Sequence, residues 1–286
     1  MSHEAYVLTL PAHRTSPVVF SSPHSGRDYG TTFCGNTRLE ARALRSSEDA
    51  FVDELFESAP LAGAPLLAAR APRAFIDLNR AADELDPALI EGVPRTPHNP
   101  RISSGLGVIP RVVSAGRVIY DRKISRTEAD ARLAQHWHPY HAALRCLLDQ
   151  SHHLFGEALL VDCHSMPHEA IETHGRPGIP RPEVVLGDRF GAAADRAMVD
   201  AIEAAFVRAG LRVARNTPFA GAYITQAYGR PSRRQHVVQI EIDRALYMDE
   251  ARVEPGPNFP AFARLMVSVV AEITDIGRKT LPLAAE

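Results

Sequence analysis

The sequence predicts an α/β fold, a three-layer α/β/α sandwich built on a mixed, mostly parallel sheet. Apolar runs of strand length alternate with amphipathic stretches of helix length, which is the pattern of such layered domains. Two of the apolar runs end in loops that carry His24 and His164, as expected for strands that finish at one edge of a sheet. With 286 residues and 45% hydrophobic content, we expect a single domain over residues 1–286.

The first part of the chain contains several short apolar runs and one helical stretch. Strands are predicted at residues 5–10, 17–22, 65–69 and 74–80. Helical periodicity covers residues 36–59, where Ser46 and Ser47 can cap a helix that Glu48 and Asp49 open. Residues 81–117 are rich in Pro, Gly and Arg and have little periodicity, so we expect a loop region that covers the active site.

In the second part of the chain, predicted helices and strands alternate regularly. A long amphipathic helix is predicted over 125–153, interrupted near Pro139, and a buried strand follows over 159–166 until Pro167 stops it. After a Gly/Pro loop over 167–182, the remaining predicted elements are strand 183–186, helix 190–209 with Gly210 as its C-terminal cap, strands 211–214 and 237–242, and helix 259–276.

Composition excludes several classes of protein. The net charge is −2, from 32 Lys and Arg against 34 Asp and Glu, without a long like-charge block, so nucleic acid is an unexpected partner. Three cysteines without a Cys-x-x-Cys spacing argue against a disulfide framework and a thiolate zinc site. We find no targeting signal and no membrane-spanning stretch, and expect a cytoplasmic protein that binds a small molecule.

The two strand-end histidines suggest a metal site. Zinc in hydrolases usually has three His or carboxylate ligands and one open position. His24 and His164 suit this role, and Asp49 or Glu48 can supply the oxygen ligand. Asp162, two residues before His164, can orient that histidine by a hydrogen bond without binding the metal itself. A rival cluster of His136, His138 and His141 lies on one helix without a carboxylate at ligand spacing.

Two further residue types point to catalysis on an acidic substrate. Glu241 lies in an alternating strand between Ile240 and Ile242, where burial can raise its pKa and make it a general base, although an ion pair with Arg244 or another arginine is the simpler interpretation. Arg80, which follows Asn79 at the end of the run 74–80, can bind a carboxylate in a two-point geometry.

Taken together, these segments resemble the N-formylglutamate amidohydrolase family over about residues 17–249. The matching segments are Ser-Pro-His-Ser-Gly at 22–26, Glu-Asp-Ala-Phe-Val-Asp-Glu-Leu-Phe at 48–56, Asp-Leu-Asn-Arg at 77–80, Gly-x-Gly-Val-Ile-Pro-Arg at 105–111, Val-Asp-Cys-His-Ser-Met-Pro at 161–167, Asn-Thr-Pro-Phe-Ala-Gly-Ala-Tyr at 216–223 and Gln-Ile-Glu-Ile-Asp-Arg-x-Leu-Tyr-Met at 239–248. Each segment alone is a weak signal, and their order makes the resemblance specific.

The resemblance implies a fold and a site. The family is similar to zinc carboxypeptidases and aspartoacylases, which implies one Zn²⁺ in a zinc-exopeptidase-like α/β/α fold. It implies His24, Asp49 and His164 as metal ligands and Glu241 as the catalytic residue. Asn79, Arg80 and Arg111 are then the expected substrate-binding residues. One departure is that the His-x-x-Glu ligand pair of those relatives is absent, because Arg27 stands three residues after His24.

The expected function is metal-dependent hydrolysis of N-formyl-L-glutamate to formate and L-glutamate, a step of histidine degradation. One alternative is a zinc amidohydrolase that acts on another N-acyl amino acid or a short peptide. A second alternative is a catalytically silent protein that binds an acidic metabolite in the same cleft.

Overall fold

A seven-stranded sheet runs through the part of the chain that the structure describes, which in this computed structural model is residues 4–30, 33, 37, 39–94, 99–172 and 181–278. In chain order its strands are β1 (Tyr6–Thr9), β2 (Val18–Ser22), β3 (Leu66–Ala69), β4 (Ala158–Met166), β5 (Val184–Gly187), β6 (Val213–Arg215) and β7 (Gln235–Asp243). A separate two-stranded ribbon contains β8 (Met248–Asp249) and β9 (Glu254–Pro255).

The sheet is mixed and mostly parallel, which confirms the predicted fold class. The spatial order of the strands is β1-β3-β2-β4-β7-β5-β6. Neighbouring strands pair in parallel except β1 with β3 and β7 with β5. The central strands β2, β4 and β7 therefore all run in one direction, and their carboxyl ends meet at one edge, where open α/β sheets bind ligands.

Helices cover both faces of the sheet. In chain order they are α1 (Ala41–Arg45), α2 (Val52–Leu55), α3 (Ala59–Ala62), α4 (Pro100–Ser103), α5 (Arg126–Arg132), α6 (His138–Phe155), α7 (His168–Glu172), α8 (Arg196–Arg208), α9 (Tyr223–Tyr228) and α10 (Phe259–Thr274). Residues 133–137 form a π-helical turn between α5 and α6, immediately before Pro139, where the sequence predicts an interruption. None of the described helices is long and apolar enough to span a membrane.

Alternation along β4 divides the core into two layers. Leu159 and Val161 pack in a cluster with side chains of α2, α8 and α10. Ala158 and Leu160 point to the opposite face and pack in a second cluster with side chains of α6 and α9. Helix–sheet–helix layering follows, as predicted. The same alternation places His164 on the α6 face at the end of the strand.

Helical periodicity over residues 36–59, of which 36 and 38 lie outside the described part, predicts a helix that Glu48 and Asp49 open, and this predicted start is wrong. Helices α1 and α2 are separated by a turn in which Phe51 adopts a left-handed conformation, with φ 65°. The backbone N–H of Asp49 donates to the carbonyl of His24 at 3.0 Å, which ties this turn to the loop after β2. Glu48 and Asp49 therefore precede α2 instead of opening a long helix, because a tertiary contact overrides local periodicity.

The prediction of a strand over residues 74–80 is also wrong. The backbone N–H groups of Phe75 and Ile76 both donate to the carbonyl of Pro72, at 2.9 and 3.2 Å, so the segment begins as a turn. The N–H of Asn79 then donates to Oδ1 of Asp77 at 2.8 Å. The carboxylate of Asp77 thus accepts from a backbone N–H that would donate to a neighbouring strand in a sheet. Asp side chains are known to compete with regular secondary structure in this way.

This irregular segment is nonetheless held in place by hydrogen bonds to the residues around it. The indole N–H of Trp137 donates to the carbonyl of Arg80 at 2.9 Å. The ring of His141 lies 2.9 Å from the carbonyl of Leu78, through Nε2. The N–H of Asp77 donates to the carbonyl of Val108 at 2.8 Å. These bonds fix the polar side chains of the segment beside the ends of β2 and β4.

The region 81–117 contains α4 and is otherwise mostly irregular. Several of its residues line the cavity described below, from Arg101 to Gly116. Three parts of the sequence-based description, loop residues 95–98, loop residues 173–180 and Cys34, lie outside the described residues.

Candidate active site

Three side chains from separate segments meet at the carboxyl edge of the sheet. His24 follows β2, His164 lies near the end of β4, and Asp49 lies between α1 and α2. Oδ2 of Asp49 is 3.3 Å from Nδ1 of His24 and 2.8 Å from Nδ1 of His164. All three residues are buried. Within the described residues, this is the group of His, Cys, Asp and Glu side chains whose atoms lie close enough to hold a metal ion, all within 4.8 Å of one another.

Each histidine is held from behind by a carboxylate. Nε2 of His24 lies 2.7 Å from Oδ1 of Asp77. Nε2 of His164 lies 3.0 Å from Oδ2 of Asp162. With an N–H at each Nε2 donating to its carboxylate, each Nδ1 is the ring atom that faces Asp49. It can donate to Asp49 when the ring is protonated, and it can offer its lone pair to a cation when the ring is neutral. This is the usual way in which outer carboxylates fix the tautomer and orientation of ligating histidines.

The electrostatics of the group fit a cation. Burial alone would raise the pKa of Asp49, but hydrogen bonds from His164 and His24 hold that pKa well below its usual range. Burial alone would lower the pKa of His164, and the neighbouring Asp162 and Asp49 instead raise it well above its usual range. Three acceptor atoms therefore converge on one buried point that favours positive charge. Nitrogen and carboxylate donors of this kind suit Zn²⁺ and similar divalent ions.

The geometry distinguishes Glu48 from Asp49, the two acidic residues that the sequence offers as the oxygen ligand. Glu48 faces away from the histidines: its carboxylate accepts from the hydroxyl of Tyr29 at 2.6 Å and from the guanidinium of Arg45. Asp49 uses Oδ2 for the histidines, and its Oδ1 accepts from Arg244 at 3.0 Å. Arg244 thus pairs with Asp49, and not with Glu241 as the simpler interpretation of the strand pattern predicts.

Glu241 lies next to the group on the neighbouring strand. It is the register partner of His164 in the parallel pairing of β4 and β7, and it lines the same cavity. Its Oε1 accepts from Nε2 of Gln239 at 2.8 Å. Burial, with a contribution from the charge of Asp49, raises the pKa of Glu241 to about 7 against the opposing charges of His164, Arg73 and Arg244. A carboxylate with such a pKa can take and return a proton near neutral pH.

A cavity of about 570 Å³ opens over these residues. Its lining contains four arginines, Arg73, Arg80, Arg101 and Arg244, together with Asn79 and the 218–222 loop. Asn79 is buried and donates through Nδ2 to Asp162 at 3.4 Å, while its Oδ1 accepts from the N–H of Ile224 at 2.7 Å. The cavity therefore carries several cationic side chains, which favours an anionic ligand.

The structure does not bring Arg111 to this cavity. Its Nε donates to Oδ2 of Asp86 at 2.9 Å, and a terminal nitrogen lies 3.4 Å from the carbonyl of Ser103. Arg111 therefore supports the end of α4 and the turn that follows it, and the arginine of α4 that lines the cavity is Arg101.

The rival histidine cluster has a structural role at His141. The ring contacts the hydroxyl of Tyr228 at 2.8 Å as well as the carbonyl of Leu78, and burial lowers its pKa to about 4. A neutral imidazole committed to two partners on the α6 face supports the active-site segment from behind.

Sequence reasoning missed four residues of the site: Asp77, Arg73, Arg101 and Arg244. Two of them had a visible signal. Asp77 and Arg244 lie inside segments that carry the family resemblance, at 77–80 and 239–248. The other two had none, because an arginine in an irregular segment has no periodicity that would show which way it points.

Comparison with known proteins gives this arrangement a family. The model of the family described as N-formylglutamate amidohydrolase matches residues 16–248. Two curated relatives are similar over most of their length. One, the N-formylglutamate deformylase of Pseudomonas aeruginosa, is 33% identical over 239 residues, which cover 82% of this chain and 83% of the relative. The other, from Pseudomonas putida, has the same name and is 31% identical, with 82% of each chain covered.

Solved structures agree. The crystal structure of N-formylglutamate amidohydrolase from Ralstonia eutropha JMP134 is similar with a TM-score of 0.89 and 36% identity, covering 96% of this chain and 98% of that one. A protein from Agrobacterium tumefaciens shares the fold with a TM-score of 0.64 at 18% identity, over 96% of this chain and 97% of its own. The chain belongs to the N-formylglutamate amidohydrolase family.

Proposed function

We propose that this protein hydrolyses the formamide bond of N-formyl-L-glutamate to give formate and L-glutamate, and that it does so in histidine degradation. The observation that carries the proposal is the placement of Glu241 beside the buried group His24, Asp49 and His164, at the floor of a cavity lined with arginines. The names of the relatives support the choice of substrate.

His24, Asp49 and His164 are the residues that would hold the metal ion, with Zn²⁺ as the expected ion. When bound there, the ion supplies Lewis acidity toward the formyl oxygen and the attacking water. Asp77 and Asp162 keep each Nδ1 lone pair directed at the site, and Arg244 keeps Asp49 in place through its second oxygen.

Glu241 moves the proton. In its ionised form it removes a proton from water as the water oxygen bonds to the formyl carbon. It then delivers that proton to the amide nitrogen as the C–N bond breaks, so formic acid and the neutral amine of L-glutamate are formed. The formic acid loses its remaining O–H proton to solvent and becomes formate, and the amine takes up a proton from solvent. The pKa of about 7 suits both steps, because the same group must accept and return the proton.

Arg80, beside Asn79, binds a substrate carboxylate. Its Nε donates to the carbonyl of Leu106 at 3.1 Å, and no hydrogen bond joins its terminal nitrogens to any residue in the described ranges. A guanidinium held by one nitrogen and open at the other two matches a carboxylate in two-point geometry.

The test is formate release from N-formyl-L-glutamate by the protein as purified, after chelation, and after Zn²⁺ is restored. We expect release that chelation abolishes and Zn²⁺ restores. The variant His164→Ala, which lacks one of the three proposed metal ligands, serves as a control. Added Zn²⁺ should not restore its formate release. If metal-loaded protein released no formate, the assignment of N-formyl-L-glutamate as the substrate would be overturned. A panel of N-formyl, N-acetyl and N-succinyl amino acids would then be tested to identify the substrate.

A further inference from the structure

Two cavity arginines are tied to one residue of the loop that follows α4. The carbonyl of Leu106 accepts from Nε of Arg80 at 3.1 Å, and the N–H of Leu106 donates to the backbone carbonyl of Arg101 at 2.8 Å. Arg80 comes from the segment beside the histidines, whereas Arg101 comes from α4. Leu106 therefore holds the two arginines in the same wall of the cavity.

The turn that carries Arg101 is well supported. Oδ1 of Asn99 accepts from the N–H of Arg101 at 3.0 Å and so caps the short helix. Gly105, which ends the turn, has φ 79° and donates to the carbonyl of Ile102 at 2.8 Å. Arg111 reaches back to the same turn at the carbonyl of Ser103. The backbone position of Arg101 is thus fixed by several bonds.

Protein carboxylates balance the charge of this wall only in part, through Asp77, whose Oδ2 lies 4.0 Å from Nε of Arg80. No ion pair or side-chain hydrogen bond joins Arg101 to another residue in the described ranges, although the arginine lines the cavity. Burial lowers the pKa of Arg80, and the neighbouring cations Arg101 and Arg73 add to this effect against the charge of Asp77. An anion that enters the cavity would relieve the repulsion between the guanidinium groups.

The two arginines lie at different depths. Arg80 is buried, and its Nε is 4.0 Å from Oδ2 of Asp77, the residue that holds His24. Arg101 is exposed at the cavity mouth. In N-formylglutamate the main-chain carboxylate is fewer bonds from the reacting formyl carbon than the side-chain carboxylate. The deeper arginine therefore matches the first carboxylate, and the outer arginine matches the second.

We propose that Arg101 binds the side-chain carboxylate of the substrate and is the residue that selects an acidic N-formyl amino acid, while Arg80 binds the main-chain carboxylate. This inference rests on the proposed function. A substrate whose side chain ends in a neutral amide of the same shape, such as N-formyl-L-glutamine, keeps the contact with Arg80 and loses the charge pairing with Arg101.

The first experiment measures kcat/KM of the metal-loaded enzyme for N-formyl-L-glutamate and N-formyl-L-glutamine. We expect Arg101→Gln to lower the preference for the acidic substrate by about tenfold, mainly through KM, because a partly solvated charge pair is lost. Arg80→Gln should lower kcat/KM for both substrates, since both carry the main-chain carboxylate. Arg196→Gln removes an equal charge from the exposed surface of α8 and should leave the preference unchanged.

Equal losses with both substrates in Arg101→Gln, or no loss with either, would overturn the assignment. A second measurement separates this result from failure of the proposed function. Calorimetric titration of the holoenzyme with L-glutamate and with L-glutamine needs no turnover. Tighter binding of L-glutamate that Arg101→Gln removes supports the assignment even if no formate is released, and equal affinities in the unmodified protein overturn it.

Discussion

His164 and Glu241 are register partners in the parallel pairing of β4 with β7. Partners in parallel strands project to the same face of the sheet, so this pairing alone places the carboxylate beside the histidine. Both residues are buried and line one cavity. The relation between the proposed base and one proposed metal ligand is therefore set by two paired central strands of the sheet, and it does not depend on a loop.

This relationship makes the role of Glu241 directly testable. Glu241→Gln keeps the size and the hydrogen-bonding capacity of the side chain but removes its basicity. We expect kcat to fall by roughly 10²–10⁴-fold, the usual contribution of a positioned general base. Steady-state formate release measures the loss, and metal analysis of the same sample is the control. A variant that retains its zinc and more than half of its kcat contradicts the assignment.

The pH profile should have an acid limb. Glu241 must be ionised to accept a proton, and burial raises its pKa to about 7. Activity is therefore present above that pKa and is lost as the pH falls through it. A bound cation stabilises the ionised form and moves the midpoint below this value. We expect kcat/KM for N-formyl-L-glutamate to fall tenfold per pH unit on the acid side. If Glu241→Gln showed the same acid limb, that limb would come from the titration of another group.

Asp162 should act through His164. Its Oδ2 lies 3.0 Å from Nε2 of that histidine, and its other oxygen has no hydrogen-bond partner among the described residues. Asp162→Asn removes the charge that fixes the histidine tautomer, so we expect zinc affinity to fall by about 10–100-fold. Competition with a chromophoric chelator measures the affinity. Asp86→Asn, a buried acidic residue away from the histidines, is the matched control, and equal affinities in the two variants would contradict this role.

Arg111 and Asp86 should behave as a unit that positions the Arg101 turn. Their side chains pair at 2.9 Å outside the cavity. We expect Arg111→Lys and Asp86→Asn each to raise KM by about 2–10-fold, and the double variant to raise it no further, because contacting residues are not additive. A direct substrate contact by Arg111 would appear instead as additive effects, with Asp86→Asn almost silent.

The sequence alone was sufficient for the frame of the site. Period-2 alternation and stop signals located the strands that carry His164 and Glu241, with boundaries that the structure shifts by one or two residues. Local patterning succeeds there because a strand buried on both faces is apolar along most of its length, so polar side chains in its last residues stand out. It failed at residues 74–80 and 36–59, where contacts with Pro72 and His24 replace the regular pairing that periodicity predicts.

What the sequence by itself determined was the layered α/β fold, the two strand-end histidines and the order of the polar segments along the chain. Tertiary structure decided which side chains of those segments meet. Two adjacent carboxylates, Glu48 and Asp49, are equivalent in sequence, and in the folded chain Asp49 faces the histidines, with its backbone N–H bonded to the carbonyl of His24. Arg101 and Arg111 likewise carry the same side chain, but Arg101 lines the cavity and Arg111 pairs with Asp86. The physical reason is that backbone periodicity fixes direction within a strand or helix, whereas in an irregular segment long-range hydrogen bonds fix it.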